Sequence, residues 1–146
     1  MLDRDNIDER EDETESRMTA KNLTSNMEDY LEAILTLQEE QKVARVRDIA
    51  RQLKVKMPSV TGAVRNLAEK GLVNYERYSF VTLTEKGRKI AEEITSRHQI
   101  LYDFLTRVLL VDMEIAELDA CRIEHAVSPQ TMTKLKIFLA DYVPNP

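Results

Sequence analysis

The stretch VRDIARQLKVKMPSVTGAVRNLAEKGLV, residues 46–73, decides the fold. Its apolar residues fall into two helical runs, with Ile49, Ala50, Leu53 and Val55 inward in the first and Val60, Val64 and Leu67 inward in the second. Pro58 suits the first turn of the second helix, where its missing N–H is no loss, and Gly71 suits the stop. Two short helices across a tight connection make a helix-turn-helix. The next segment, LVNYERYSFVTL, places β-branched and aromatic residues in two short runs around Glu76 to Ser79, the pattern of a hairpin. A hairpin directly after a helix-turn-helix is a wing.

Working toward the N-terminus, SNME predicts a helix opening at Ser25, with Ser25 as N-cap and Glu28 completing a capping box. The helix runs to about Glu39 and buries one stripe, Met27, Tyr30, Leu31, Ile34 and Leu37. Asp29 and Glu32 lie off that stripe, three apart, so two carboxylates share a face and can point at one cation. Residues 1–21 are polar and mostly acidic without hydrophobic periodicity, and read as a flexible tail.

Toward the C-terminus, Thr84 caps a long helix whose apolar residues Ile90, Ile94, Leu101, Leu105 and Val108 keep helical spacing to about Leu110. Two more helices follow, one from about Asp112 to Val127 and one from Ser128 with Pro129 at its first position. Their apolar residues exceed what so small a unit can hide, so a homodimer is expected, its surface on Phe104, Leu105, Val108, Leu109, Ile137 and Phe138. The reading is a mainly α chain: an acidic tail (1–21), a winged helix-turn-helix (22–90) and a helical domain (91–146).

The charge distribution sharpens this. The chain carries a net −5 over 146 residues, but residues 42–89 hold twelve Lys/Arg against four Asp/Glu, while the flanks are acidic at −9 and −4. A basic block inside an acidic protein is the footprint of a DNA-binding module, because phosphate neutralisation depends on the local patch. With one cysteine there is no intramolecular disulfide, and no apolar run reaches the roughly 20 residues that cross a bilayer. A cytoplasmic location with no membrane partner is expected. Only three glycines and no Gly-rich phosphate loop argue against nucleotide chemistry.

The chemistry-bearing cluster is CRIEH, residues 121–125. On a helix Cys121, Glu124 and His125 stand at i, i+3 and i+4, so thiolate, carboxylate and imidazole leave one face at metal-ligand spacing. His98, the other histidine, sits on the long helix. Each piece also has a purely structural reading: a lone Cys is usually a small buried hydrophobe, and paired acids are usually solvated.

Four segments together resemble the diphtheria toxin repressor and manganese transport regulator family: NMEDYLEAIL, ARVRDIARQLKVKMPSVTGAVRNLAEKGLV, VTLTEKGRKIAEEITSRHQIL and CRIEHAVS, within residues 22–140. The resemblance implies a winged helix-turn-helix joined to a helical metal-binding and dimerisation domain, in the two-domain form without an SH3-like domain. It implies metal ligands at Asp29, Glu32, His98, Cys121, Glu124 and His125. Manganese-type members share the acids at 29 and 32 but have Glu in place of Cys121, whereas iron-type members share the Cys but have Met in place of Asp29. The chain mixes the two patterns. Longer iron-type members also carry Glu at the position of Tyr102 and His at that of Glu117, so their ancillary site does not carry over.

The expected cofactor is therefore a divalent transition metal, Mn(II) or Fe(II), with Co(II) and Zn(II) also compatible with a thiolate. The expected partner is double-stranded DNA at a palindromic operator. The second helix of the motif, about Pro58 to Lys70, enters the major groove, with Lys56, Ser59, Thr61 and Arg65 toward DNA and Arg47, Arg51, Arg77 and Lys86 on phosphates. The resemblance implies repression of metal-uptake genes rather than catalysis. Rival readings are a winged-helix regulator that answers to an organic ligand, a thiol enzyme pairing Cys121 with His98 or His125, and a protein–protein adaptor that would not need the basic block.

Overall fold

The structure, a computed structural model, describes residues 23–76 and 80–144. The expected tail at 1–21 and Arg77 of the wing lie outside the described residues. The chain divides into two compact units, Met1–Ala91 and Glu92–Pro146. Among the described residues no helix is long and apolar enough to cross a membrane.

In the first unit, α1 (Ser25–Gln41), α2 (Val46–Leu53) and α3 (Met57–Glu69) are followed by strands β1 (Val73–Tyr75) and β2 (Val81–Leu83). The expected N-cap at Ser25 is corrected by one residue. Thr24 holds the extended cap conformation and accepts from the Met27 backbone N–H at 3.2 Å, so Ser25 is already helical. The stripe expected on α1 is buried, and Leu31, Ile34, Ile49, Val60, Val64 and Leu67 share one core fully shielded from water. Val55 departs from expectation. It lies in the turn between α2 and α3, where Lys54 takes a left-handed conformation (φ 56°), and is 39% exposed. The turn carries it out of the helical stripe that the spacing assumed.

Gly71, at φ 74°, ends α3 with the paired bonds of a left-handed stop: its N–H donates to Ala68 and that of Leu72 to Leu67. The chain then enters β1, which pairs antiparallel with β2 in the register Val73↔Leu83, Asn74↔Thr82, Tyr75↔Val81. Ala44 extends the ribbon by exchanging both backbone bonds with Val81, and the Gln38 side chain of α1 accepts from the Leu83 N–H at 3.0 Å. The wing is thereby tied to α1 by hydrogen bonds as well as by apolar burial.

Thr84 starts α4 (Glu85–Asp103) as expected, accepting from the Gly87 N–H at 3.1 Å while its hydroxyl donates to the Gly71 carbonyl at 2.7 Å. Gly87 is required by packing, since a Cβ there would lie 1.9 Å from the Leu72 carbonyl oxygen. Beyond Asp103 the expected continuation to about Leu110 is wider than an α-helix: Phe104–Val108 forms a π-helical turn, and Leu110 reverses the chain at φ 56°.

The second unit continues with α5 (Met113–Ile123) and α6 (Pro129–Asp141). Ser128 caps α6, accepting from the Thr131 N–H. Leu101, Ala120 and Met132 form the buried centre of this unit, packed round by Ile100, Tyr102, Leu105, Ile123, Val127 and Leu135. Phe138 meets Phe104 edge-on at 6.2 Å and stacks on Tyr142 at 5.5 Å, yet remains 47% exposed. Leu109, Leu110, Met113, Leu118 and Ile137 are exposed as well.

Candidate metal centre and nucleic-acid interface

α5 ends at Ile123, so of the CRIEH run only Cys121 is strictly helical among the three expected ligands. Glu124 is the C-cap and keeps helical dihedrals, with its N–H still donating to Ala120, while His125 stands in the turn beyond. The Arg97 guanidinium of α4 donates to the Glu124 carbonyl at 3.4 Å, placing a cation at the negative end of α5. Arg97 is itself steadied by Glu93 at 2.9 Å, one turn back.

The next residue on α4, His98, reaches the same end of α5. Its Nδ1 donates to Glu124 Oε2 at 2.8 Å and its Nε2 to Glu117 Oε2 at 3.0 Å. Cys121 Sγ lies 3.7 Å from His98 Nδ1, and His125 Nε2 lies 3.5 Å from Glu124 Oε1. The expected ligands His98, Cys121, Glu124 and His125 are thus brought together within the second unit. Asp29 and Glu32 are part-buried on α1 of the first unit, three apart as the sequence required.

An imidazole between two carboxylate acceptors is held as a cation. The bond to Glu124 is the largest cause, burial opposes it, and Glu117 adds to it; together they raise the His98 pKa to about 9. Glu124 is 1% exposed, and its Oε1 has no hydrogen bond among the described residues. A buried carboxylate oxygen left without a hydrogen bond is costly unless a cation meets it. The donor set, two imidazoles, a thiolate and two carboxylates, fits a divalent transition metal. Ligand atoms of His98, Glu117 and Cys121 lie within 4.8 Å of one another.

Glu117 is the residue that sequence reading missed, having been weighed only as a departure from a His. It stands one turn before Cys121 and two before Glu124 on α5, a spacing that would have placed it on the same face. Cys121 is exposed, against the bland reading of a buried hydrophobe.

In the first unit Arg47, Arg51, Lys56, Ser59, Arg65 and Lys86 are all exposed. Lys56 is the N-cap of α3, and Ser59 and Arg65 lie along that helix. Thr61 is part-buried, its hydroxyl donating back to the Met57 carbonyl at 3.2 Å. Beside the wing, the Arg45 guanidinium lies 5.2 Å over the Phe80 ring.

Comparison with known proteins places these features. Residues 22–81 match the family described as iron dependent repressor, N-terminal DNA binding domain, and residues 84–146 its metal binding and dimerisation domain. An uncharacterized HTH-type transcriptional regulator of Methanocaldococcus jannaschii is 36% identical over 82% of this chain and 97% of its own length. The HTH-type transcriptional regulator MntR of Bacillus subtilis is 41% identical over 77% of this chain and 78% of its own. A solved manganese-dependent transcriptional repressor in complex with manganese superposes with a TM-score of 0.72 at 33% identity, over 78% of this chain. This chain spans about half of that structure, 52%.

Proposed function

The chain belongs to the iron-dependent repressor family, and from that premise we propose that it is a cytoplasmic, homodimeric repressor that binds operator DNA when loaded with Mn(II) or Fe(II). The observation that carries the metal dependence is Glu124, a buried carboxylate with one oxygen on His98 and the other without a hydrogen bond.

The residues that would hold the ion are Asp29 and Glu32 of the first unit and His98, Cys121, Glu124 and His125 of the second. When bound, the ion supplies a compact double positive charge that carboxylates, imidazoles and a thiolate can share. For its nitrogen to become a ligand, His98 must release the proton that now joins it to Glu124. Glu117 holds the far nitrogen of the ring and so fixes which one faces Glu124 and Cys121. Metal loading would favour one arrangement of the two α3 helices in a dimer, a population shift toward the spacing of a palindromic operator. On DNA, α3 enters the major groove, and Arg47, Arg51 and Lys86, with Arg77, neutralise phosphates. The exposed apolar residues Leu109, Ile137 and Phe138, with Phe104, Leu105 and Val108, support the dimer surface.

The test is DNA affinity across Mn(II), Fe(II), Co(II), Zn(II) and chelator, in the parent and in Cys121→Glu. Metal-strengthened binding, with the ranking shifted toward Mn(II) in the variant, supports the reading. Affinity that ignores every metal contradicts it, and an unchanged ranking in the variant removes Cys121 from the choice of metal.

A further inference from the structure

We propose that Arg97 is a positioning residue of the metal centre: by holding the peptide between Glu124 and His125, it sets the direction in which the His125 ring is offered to the ion. The inference rests on the metal-binding reading proposed above. Glu124 is the C-cap of α5, and His125 follows in the turn beyond it. The helix thus stops dictating direction one residue before a ligand. The peptide joining the two residues is planar, so its carbonyl oxygen and the His125 nitrogen move as one plate. Arg97 of α4 donates to that oxygen at 3.4 Å. The N–H groups of Ala126 and Val127 both donate to the Ile123 carbonyl, at 2.9 and 3.2 Å. The turn that carries His125 is therefore held at two oxygens, one bonded from within the turn and the other from α4. On that turn His125 Nε2 lies 3.5 Å from Glu124 Oε1, the buried oxygen that has no hydrogen bond among the described residues.

A guanidinium so placed has two opposing effects. Its hydrogen bond fixes the ligand turn, which favours an ion, while its positive charge, one residue from His98, opposes a dication. Glu93 tips the balance. Its Oε1 accepts from Arg97 at 2.9 Å, one turn back on α4, and offsets the charge while leaving the donor aimed at Glu124. The Arg97 side chain is 15% exposed against 46% for Glu93, so the donor sits inside the protein and the compensating acid faces water. That arrangement suits a cation kept for geometry rather than for charge. A lysine would keep the charge but, as a point donor on a flexible stem, would not hold both acceptors in one rigid fork.

The test compares the full chain with Arg97→Gln and Arg97→Lys. In the metal-free protein, hydrogen exchange at the Ala126 and Val127 amides should speed up about tenfold in Arg97→Gln, as expected for the loss of one charge-assisted hydrogen bond. The Leu101 and Ala120 amides at the centre of the unit should be unchanged. Mn(II) affinity, read by competition with a metal indicator, should fall about tenfold to a hundredfold in Arg97→Gln, with Arg97→Lys between it and the parent. In a His125→Ala background the same Arg97→Gln change should cost less than about twofold, because a residue that acts through His125 then has nothing left to position. Unchanged exchange at the turn overturns the inference, as does Mn(II) affinity in Arg97→Gln equal to or above that of the parent, the result expected of a mere repelling charge. A full loss repeated in the His125→Ala background overturns it too. If Arg97→Gln does not fold, Arg97→Lys carries the same comparisons. A parent that binds no Mn(II) ends the metal-binding reading and this one with it.

Discussion

His98 lies on α4 and Glu124 is the C-cap of α5, and the two meet through a 2.8 Å hydrogen bond in which the Glu124 side chain is buried. The bond is a proton lodged where the chain gathers metal donors. In the proposed metal site, proton and metal would compete for the same groups.

That competition has a sign. With the His98 pKa raised to about 9, the imidazole is charged at neutral pH, and each ion bound must displace its proton. The His98 proton alone should make apparent metal affinity rise about tenfold per pH unit while His98 remains protonated, a contribution that flattens as pH passes 9 and to which any Cys121 proton adds. Calorimetric titration in buffers of different ionisation enthalpy would read the released proton directly. The metal-free protein should behave in the opposite sense. Its charged pair with Glu124 stabilises the fold fully below the unfolded histidine value near 6.5, and that contribution is lost as pH rises through 9.

Glu117 tests whether the ring orientation matters. Glu117→Ala removes the acceptor 3.0 Å from His98 Nε2, and metal affinity should fall about tenfold to a hundredfold. Glu117→Gln keeps a carbonyl oxygen there and should lose less. Equal affinity in the parent and both variants, measured by competition with a metal indicator, would remove Glu117 from the site.

The first unit offers a packing test. Gly87→Ala would set a Cβ 1.9 Å from the Leu72 carbonyl oxygen and 2.8 Å from its carbon, and backbone on both sides has no rotamer to yield. A destabilisation of about 2–3 kcal/mol is expected, read by thermal unfolding as a drop of about 4–8 °C per kcal/mol.

These positions differ in how far the sequence announced them. Val60, Val64 and Leu67 recur at helical spacing and are all buried, because the core of a small unit leaves one side of α3 no other place to go. The same reasoning misplaced Val55, since periodicity assumes the helix continues and here a left-handed Lys54 interrupts it. The α1 cap was one residue off because Thr24 and Ser25 are adjacent hydroxyl residues and either can accept from a first-turn N–H. Neither Gly nor Pro marks the π-helical turn at Phe104–Val108, so apolar spacing alone passed through it. His98, Cys121, Glu124 and His125 were legible from local spacing and resemblance. Glu117 shares their face by its spacing to Cys121, but its bond to His98, 19 residues away, comes only from tertiary packing.

If Glu124 couples metal to DNA, the metal dependence of operator affinity should differ between the parent and Glu124→Gln. The isosteric amide keeps the shape of the buried side chain and removes its charge. At fixed pH and salt, Mn(II) or Fe(II) should raise the affinity of the parent by about 5- to 150-fold over chelator and leave that of Glu124→Gln nearly unchanged. A Glu124→Gln variant that keeps the full metal response of the parent would remove Glu124 from the coupling.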